Sequence, residues 1–163
     1  MASHVPDLSP AVASFWAHCL QTRPETPTRP LHEVFHFGDS PALADELAAL
    51  VLAGIKTATS SLLWSYEASG KPLVQPGDLS MVTTWSGEPV CVIETLEAPV
   101  RPFAAIDAQF AWDYGEGDRS LSWWRTHLWA YYTRECARLG RQPAEDMPLV
   151  CERFRVIFSA AAP

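Results

Sequence analysis

Lysine is scarce in this chain, which carries two lysines against ten arginines. Acidic residues outnumber basic ones by 19 to 12, and the formal net charge is −7. Proteins bind duplex nucleic acid mainly by neutralising many phosphates. The charge balance therefore argues against broad, charge-driven binding to duplex DNA, although it leaves room for a local basic cleft.

Long hydrophobic runs are also missing, since no apolar stretch approaches the roughly 18 residues that a membrane span needs. The first ten residues, MASHVPDLSP, lack the basic and apolar regions of a signal peptide. We therefore expect a cytoplasmic protein that has no membrane partner.

Metal-binding and cofactor motifs are absent from the sequence. It has no C-x-x-C pair, no histidine at zinc spacing, and no phosphate-loop, dinucleotide or G-x-S-x-G pattern. We expect buried free thiols at the four dispersed cysteines, which are Cys19, Cys91, Cys136 and Cys151. No cofactor is evident, but carboxylates in the segment DYGEGDRS (113–120) leave room for a divalent metal ion.

Residues 1–30 are predicted to be an N-terminal helix followed by a proline-rich connector. Ser9 suits a helix N-cap and Pro10 the first helical turn. The connector is QTRPETPTRP (21–30), and too little chain precedes it to form a domain. Residues 31–163 are then one domain, and the first thirty residues either cover a cleft in it or pack on it as a helix.

The remaining pattern predicts an α+β fold in which strands pair around a barrel and helices lie at its side. Period-two or apolar segments predict strands at 31–37, 78–85, 89–98 and 149–158. Apolar spacing and capping residues predict helices at 10–20, 40–54, 102–112 and 120–140.

Lys56 is the only charged residue in AGIKTATSSL (53–62), a segment of small, hydroxyl-bearing and apolar residues. Gly54 suits the left-handed cap that ends the preceding helix, so Lys56 leaves from a sharply fixed turn. If burial lowers its pKa, Lys56 can act as a base for a neighbouring hydroxyl. As a cation it would instead bind phosphate or stabilise an oxyanion. The structural alternative is a polar strand from which Lys56 points outward.

A second candidate group is formed by Asp113, Glu116 and Asp118, which surround two glycines in DYGEGDRS. Carboxylates beside glycines can approach a ligand closely and serve as general acid, general base or metal ligand. The structural alternative is that Asp118 or Ser120 caps the following helix.

Aromatic residues form a third group near the same segments. Stacking on aromatic rings is how unpaired bases are held with little help from net charge. Core packing is the alternative for most of these rings, and His127 is expected to cover packed aromatics one turn from Trp123. The predicted substrate-binding residues are Tyr66, Tyr114, Trp123 and Arg125.

Five segments taken together resemble the ASCH domain family. They are FGDSPALADELAALVLAGIKTATSSL, PGDLSMV, EPVCVIET, GEGDRSLSWWRTH and MPLVCERFRVIF, in that order. The resemblance runs from about Phe35 to Phe158 and implies a PUA-like β-barrel with flanking helices. It also implies an association with RNA and a cleft between barrel and helices.

Members of that family include an amidohydrolase that deacetylates N4-acetylcytidine and ribonucleases that act on single strands. The resemblance to this amidohydrolase implies a site with a lysine, a threonine three residues later and a glutamate before the later helix. Lys56 and Thr59 match the first two positions. Tyr114 occupies the position expected for the acid, Glu116 is the nearest substitute, and Asp113 is another.

We therefore expect a protein that binds RNA or a modified nucleoside in a cleft lined by Lys56, Thr59, Tyr66, Glu116 and Arg125. Lys56, Thr59 and Glu116 are the predicted catalytic residues of a hydrolase, either a ribonuclease or an amidohydrolase in which Glu116 protonates the leaving amine. The alternative is a non-catalytic RNA-binding or regulatory module.

Overall fold

The computed structural model describes residues 6–160, which form six strands and five α-helices. The strands are β1 (Glu33–Phe35), β2 (Ala58–Leu62), β3 (Leu79–Thr83), β4 (Pro89–Glu97), β5 (Val100–Pro102) and β6 (Pro148–Ser159). The helices are α1 (Pro10–Thr22), α2 (Pro41–Leu52), α3 (Leu63–Ser69), α4 (Ala108–Tyr114) and α5 (Leu121–Arg138).

The strands form one mixed, curled sheet in the order β1-β3-β4-β6-β2. β1 and β3 pair in parallel, and the other pairs are antiparallel. β6 is long enough to pair with β4, β2 and β5, so it joins the two sides of the half-barrel. The predicted α+β, PUA-like architecture is confirmed.

Serine caps position three of the helices. The side chains of Ser9, Ser40 and Ser120 each accept a hydrogen bond from the backbone N–H three residues later, at 3.3, 3.2 and 3.0 Å. Such caps satisfy donors that have no partner inside a helix. They confirm the predicted starts of α1 and α2.

The end of α2 fixes where Lys56 begins. Gly54 has a φ of +72°, which a residue without a Cβ adopts at little cost. The N–H groups of Ile55 and Lys56 then both donate to the carbonyl of Leu50, at 3.0 and 3.1 Å. The predicted cap at Gly54 is confirmed, and the chain turns directly into β2.

The helix predicted at 102–112 is wrong over its first half. Residues Val100–Pro102 form β5, and Phe103–Ala105 form a single 3₁₀ turn. α4 begins only at Ala108, where the Asp107 side chain accepts from the Phe110 N–H at 2.8 Å. Pairing of β5 with β6 outweighs the local helical pattern, because tertiary hydrogen bonds override a weak propensity.

The N-terminal helix packs against the sheet on the side of β4. Val12 and Cys19 are buried there among Leu79, Met81 and Val92. The sequence left open whether the first thirty residues cover a cleft or pack as a helix, and α1 packs on the sheet. The predicted boundary between 1–30 and 31–163 stays a prediction, and residues 1–5 and 161–163 lie outside the described part of the chain.

All four cysteines are free and buried, which confirms the prediction for them. Within residues 6–160, every helix is too short or too polar to cross a membrane.

Candidate active site

A cavity of about 620 Å³ opens between the curled sheet and the helices α2, α3 and α5. Its volume lies within the range of sites that bind small molecules. Its lining comes from distant parts of the sequence, including Thr59 of β2, Tyr66 of α3, Glu116 before α5, and Glu152 of β6.

Lys56 lies behind the wall of this cavity. Its side chain has no exposed surface, and it is not part of the lining. The Nζ atom donates to the carbonyls of Ala58 and Tyr114, at 2.8 and 3.2 Å, and to the Glu116 carboxylate at 2.9 Å. A lysine ammonium has three N–H donors, so these three acceptors use all of them.

The surroundings of Lys56 suit an ammonium ion. Burial lowers the pKa of Lys56, and the Glu116 carboxylate opposes this shift. The Nζ atom also lies 3.6 Å from the centre of the Tyr114 ring and 5.3 Å from that of Phe37, as in cation–π contacts. With all three N–H groups donated, Nζ has no lone pair to offer, so the geometry opposes a role for Lys56 as a base.

Two glycines hold Glu116 against Lys56. Gly115 and Gly117 both have positive φ, at +74° and +59°. A Cβ on Gly115 would lie 2.5 Å from the carbonyl oxygen of Ile55, so the loop packs directly on the turn that carries Lys56. This close approach puts the Glu116 carboxylate, whose side chain is 15% exposed, between Lys56 and the cavity.

Asp113, the other candidate acid, points away from the cavity. Its carboxylate pairs with Arg153 and accepts a hydrogen bond from Gln109 at 3.1 Å. Asp118 accepts a hydrogen bond from the Ser120 N–H at 2.8 Å, and Ser120 caps α5. Of the three acidic residues in DYGEGDRS, Glu116 alone lines the cavity.

Tyr114 lines the cavity but is almost fully buried, at 4% exposure. Its ring covers the Lys56 ammonium, and its hydroxyl lies 3.2 Å from Ser60 Oγ. Ser60 Oγ lies 2.5 Å from the hydroxyl of Tyr132, so the three hydroxyls form a buried chain. Burial raises the pKa of Tyr114 above its ordinary value, which makes it unsuited to replace a carboxylate as a base.

Thr59 lies on β2 directly opposite Glu152 on β6. Directly paired residues of antiparallel strands share one face of the sheet, and both side chains line the cavity. Glu152 accepts a hydrogen bond from Thr95 Oγ1 at 2.7 Å. Burial raises the pKa of Glu152 to about 7, and the Thr95 hydrogen bond acts in the opposite direction.

Sequence reasoning missed Glu152. The signal was a lone acidic residue in the strand segment LVCERF, for which the sequence analysis predicted a strand but no site residue. The pairing of Thr59 with Glu152 depends on the register of β2 against β6, which joins positions far apart in the chain.

The predicted substrate-binding residues divide into two groups. Tyr66 and Trp123 line the cavity, as does His127, whose ring stacks on Trp123 with 4.0 Å between centroids and 15° between planes. Arg125 is exposed, lies outside the cavity, and its guanidinium donates to the Ile106 carbonyl at 3.5 Å. Its predicted place in the cleft is corrected: the arginine of α5 that lines the cavity is Arg134.

No group of three or more His, Cys, Asp or Glu side chains within residues 6–160 is arranged to hold a metal ion. Two carboxylates of the cavity lining, Glu116 and Glu152, each have another partner, which is Lys56 or Thr95.

The sequence profile of the ASCH domain matches residues 33–158 of this chain. The chain belongs to the ASCH domain family. The predicted family is thereby confirmed. ASCH domains have a PUA-like fold, which is associated with RNA binding.

Two solved ASCH-like structures share the fold along nearly all of this chain. The ASCH domain from Lactobacillus crispatus JV V101 is 31% identical, with a TM-score of 0.87, and the match covers 94% of this chain and 98% of that one. A protein from Enterococcus faecalis V583 is 28% identical, with a TM-score of 0.82, and the match covers 90% of this chain and 88% of that one. Among curated proteins, none matches this ASCH protein.

Proposed function

We propose that this ASCH protein is a hydrolase that removes the acyl group from an uncharged modified nucleoside, with N4-acetylcytidine as the representative substrate. The observation that carries the proposal is that the Thr59 hydroxyl, the Glu116 carboxylate and the Trp123 ring line one cavity. A hydroxyl can act as the nucleophile, a carboxylate can bind an amide N–H, and a flat ring can stack on a base.

The charges of the cavity favour an uncharged substrate. The lining contains one arginine and one lysine, and each is already paired with a carboxylate of the same lining. Arg134 pairs with Asp39 at 3.2 Å, and Lys71 pairs with Glu33 at 3.5 Å. Glu152 adds another acidic group. A phosphodiester would therefore meet carboxylates rather than unpaired cations, which disfavours binding of an RNA strand in this cavity.

Aromatic side chains provide a place for the base. Gly117 packs on one face of the Trp123 ring and His127 stacks on the other, so the base would stack on the outer face of the His127 ring, and Tyr131 extends the same wall. Stacking on such rings is favourable for every nucleobase, because each base has a flat π-face. Specificity must then come from the polar groups at the other side of the cavity.

In the mechanism that we propose, Thr59 Oγ1 attacks the acyl carbon and the C–N bond to the nucleobase breaks. Water then attacks the acyl-threonine ester and releases the carboxylic acid. The Glu116 carboxylate accepts a hydrogen bond from the N–H of the substrate amide and orients the acyl group. Since Glu116 already pairs with the Lys56 ammonium, it acts as an acceptor here and not as the proton donor expected from sequence.

Lys56 is a positioning residue in this mechanism. Its buried Nζ holds the Glu116 carboxylate and the Tyr114 carbonyl, and its side chain is shielded from the cavity. It therefore acts on the substrate through Glu116. This role differs from the direct contact with substrate or phosphate that the sequence led us to expect.

A non-catalytic RNA-binding module is the second candidate, and the association of the PUA-like fold with RNA binding favours it. It predicts that single-stranded RNA binds whether or not Thr59 is present, and that no product forms. We also retain a cytoplasmic location as part of the proposal, because four buried free thiols suit a reducing compartment.

Incubation of the purified protein with N4-acetylcytidine tests the proposal, with cytidine and acetate measured by chromatography. We expect turnover by the wild type, and a loss of at least roughly 100-fold in kcat/KM for Thr59→Val, because the nucleophile is removed. Thr57→Val is the matched control. Thr57 hydrogen-bonds the Asp113 carbonyl at 3.3 Å and lies outside the cavity lining.

Two results would contradict the proposed function. One is the absence of cytidine at any enzyme concentration; the other is a Thr59→Val variant as active as Thr57→Val. Labelled single-stranded RNA is included in a parallel arm. Its cleavage, or its tight binding without any turnover of the nucleoside, would favour an RNA ligand instead.

A further inference from the structure

Attack by Thr59 on the acyl carbon requires a group that accepts the proton of its hydroxyl. Lys56 is unsuited, since all three of its N–H groups are donated and it lies behind the cavity wall. Glu116 pairs with Lys56 at 2.9 Å and, in the proposed mechanism, also accepts the amide N–H of the substrate. The other residues of the cavity lining are therefore the candidates for the base.

Glu152 is the carboxylate of the lining that the strand register places near Thr59. It lies directly opposite Thr59 in the antiparallel pair of β2 and β6. Directly opposed residues have Cβ atoms about 4.5–5.5 Å apart on the same face, which is within reach of a glutamate and a threonine side chain. The Thr95 hydroxyl donates to Oε1 at 2.7 Å and anchors the carboxylate from the side of β4, a bond that does not use Oε2.

We propose that Glu152 is a further catalytic residue, the general base that takes the proton of Thr59 during acyl transfer. This inference deepens the proposed function and rests on it. Thr95 is the positioning residue for Glu152.

The proton transfers balance over the two steps. As the bond from Thr59 Oγ1 to the acyl carbon forms, the Oγ1 proton moves to Glu152. When the C–N bond breaks, Glu152 returns that proton to the departing nitrogen, which leaves as the free amine of cytidine. Glu152 next takes a proton from the attacking water, and Thr59 Oγ1 regains a proton as the ester C–O bond breaks and acetic acid forms.

Groups on several elements face Glu152 and decide when it is ionised. Burial raises its pKa to about 7, and the nearby carboxylates of Glu33 and Asp78 add to this shift. Lys56 acts in the opposite direction, and the Tyr66 hydroxyl also lies within its field. A base works in its ionised form, so activity is low below pH 7, rises through pH 7 and levels off above it.

A pH–rate profile with N4-acetylcytidine is the first test. We expect kcat/KM of the wild type to rise with a midpoint near pH 7, and Glu152→Gln to lose roughly 100- to 10,000-fold in rate together with this rise. Glutamine keeps the size of the side chain and can still accept from Thr95. The matched control is Glu94→Gln, since Glu94 pairs with Arg155 at 2.7 Å and is not part of the cavity lining.

The midpoint of the pH–rate profile of Thr95→Val is the second test, because loss of a merely structural residue would not change that midpoint. Because the Thr95 hydrogen bond lowers the pKa of Glu152, its loss should shift the midpoint of the pH profile to a higher value. The plateau rate should also fall, because the carboxylate loses its anchor. Thermal unfolding of all variants checks that they are folded. An unchanged midpoint in folded Thr95→Val would contradict the assignment.

Acylation by p-nitrophenyl acetate separates failure of this inference from failure of the proposed function. This activated ester needs no nucleoside site, and acetylation of Thr59 is located by mass spectrometry. If Thr59 is acetylated in the wild type but not in Glu152→Gln, the inference stands even if N4-acetylcytidine is not a substrate. If Glu152→Gln hydrolyses N4-acetylcytidine at the wild-type rate, the proposed function stands and the inference is wrong. If Thr59 is neither acetylated nor required for turnover, both are wrong.

Discussion

At the scale of single residues, burial changes what a charged side chain can do. Lys56 and Glu116 are both charged residues of a kind usually found at the surface, yet the Lys56 side chain has no exposed surface and that of Glu116 is 15% exposed. Removing one partner of a buried ion pair leaves the other charge without compensation, and this costs more than the pair contributes. The same burial makes Lys56 a support for Glu116 rather than a ligand-binding group.

We predict that Lys56→Met lowers the free energy of unfolding by about 3 kcal/mol, the low end of the range for buried pairs, because Glu116 keeps some solvent contact. Glu116→Gln should lower it by a smaller amount, because the amide can still accept from Lys56. Chemical denaturation of both single variants and the double variant measures the coupling. A loss below about 1 kcal/mol for Lys56→Met would mean that the pair behaves like one at the surface.

At the scale of elements, the loop between α4 and α5 joins the two sides of the site. One side of the loop rests on the turn after α2, and Gly117 rests on the ring of Trp123. A Cβ on Gly117 would lie 2.1 Å from that ring, whereas a Cβ on Gly140, which ends α5, would meet nothing within 4 Å. Both glycines have positive φ, at +59° and +67°.

These two glycines form a matched pair for a test. Alanine at either position costs roughly 1–2 kcal/mol through the backbone conformation alone. Gly117→Ala should in addition displace Trp123 and weaken nucleoside binding, whereas Gly140→Ala should leave it unchanged. Thermal unfolding and calorimetric titration with cytidine separate the two effects. Equal affinities in the two variants would show that the stack of Trp123 and His127 does not hold the base.

At the scale of the whole molecule, acidic charge and cavity shape favour the same class of ligand. The net charge is −7, and the lysine and arginine of the cavity are each paired with a carboxylate. A polyanion would gain little from such a surface, while an uncharged nucleoside depends on stacking and hydrogen bonds that salt screens weakly.

We therefore predict that the affinity for N4-acetylcytidine is nearly constant between about 50 and 500 mM salt, since no phosphate contact releases counterions. Titration of Thr59→Val, which is not expected to turn the nucleoside over, measures this affinity by calorimetry. Labelled single-stranded RNA serves as the comparison. A steep fall of RNA affinity with salt, starting from tight binding at low salt, would contradict the preference for an uncharged ligand.

Much of the fold could be predicted from local sequence signals. Ser9 and Ser40 mark helix starts, Gly54 marks a helix end, and alternating segments mark β3 and β4, because these signals act within a few residues. The helix predicted at 102–112 is wrong over its first half because a distant contact decides the structure there. There a short segment pairs with β6, a strand more than forty residues later.

Some features of the candidate site likewise follow from local sequence, and others follow from tertiary contacts. The sequence by itself determined the family, the α+β class, the turn that carries Lys56 and the glycines that flank Glu116, since each depends on residue type and short spacing. Tertiary structure alone decided that Lys56 lies behind the cavity, that Arg125 lies outside it, and that Glu152 lies beside Thr59. The physical reason is that burial and strand register depend on contacts between distant segments, which no local pattern encodes.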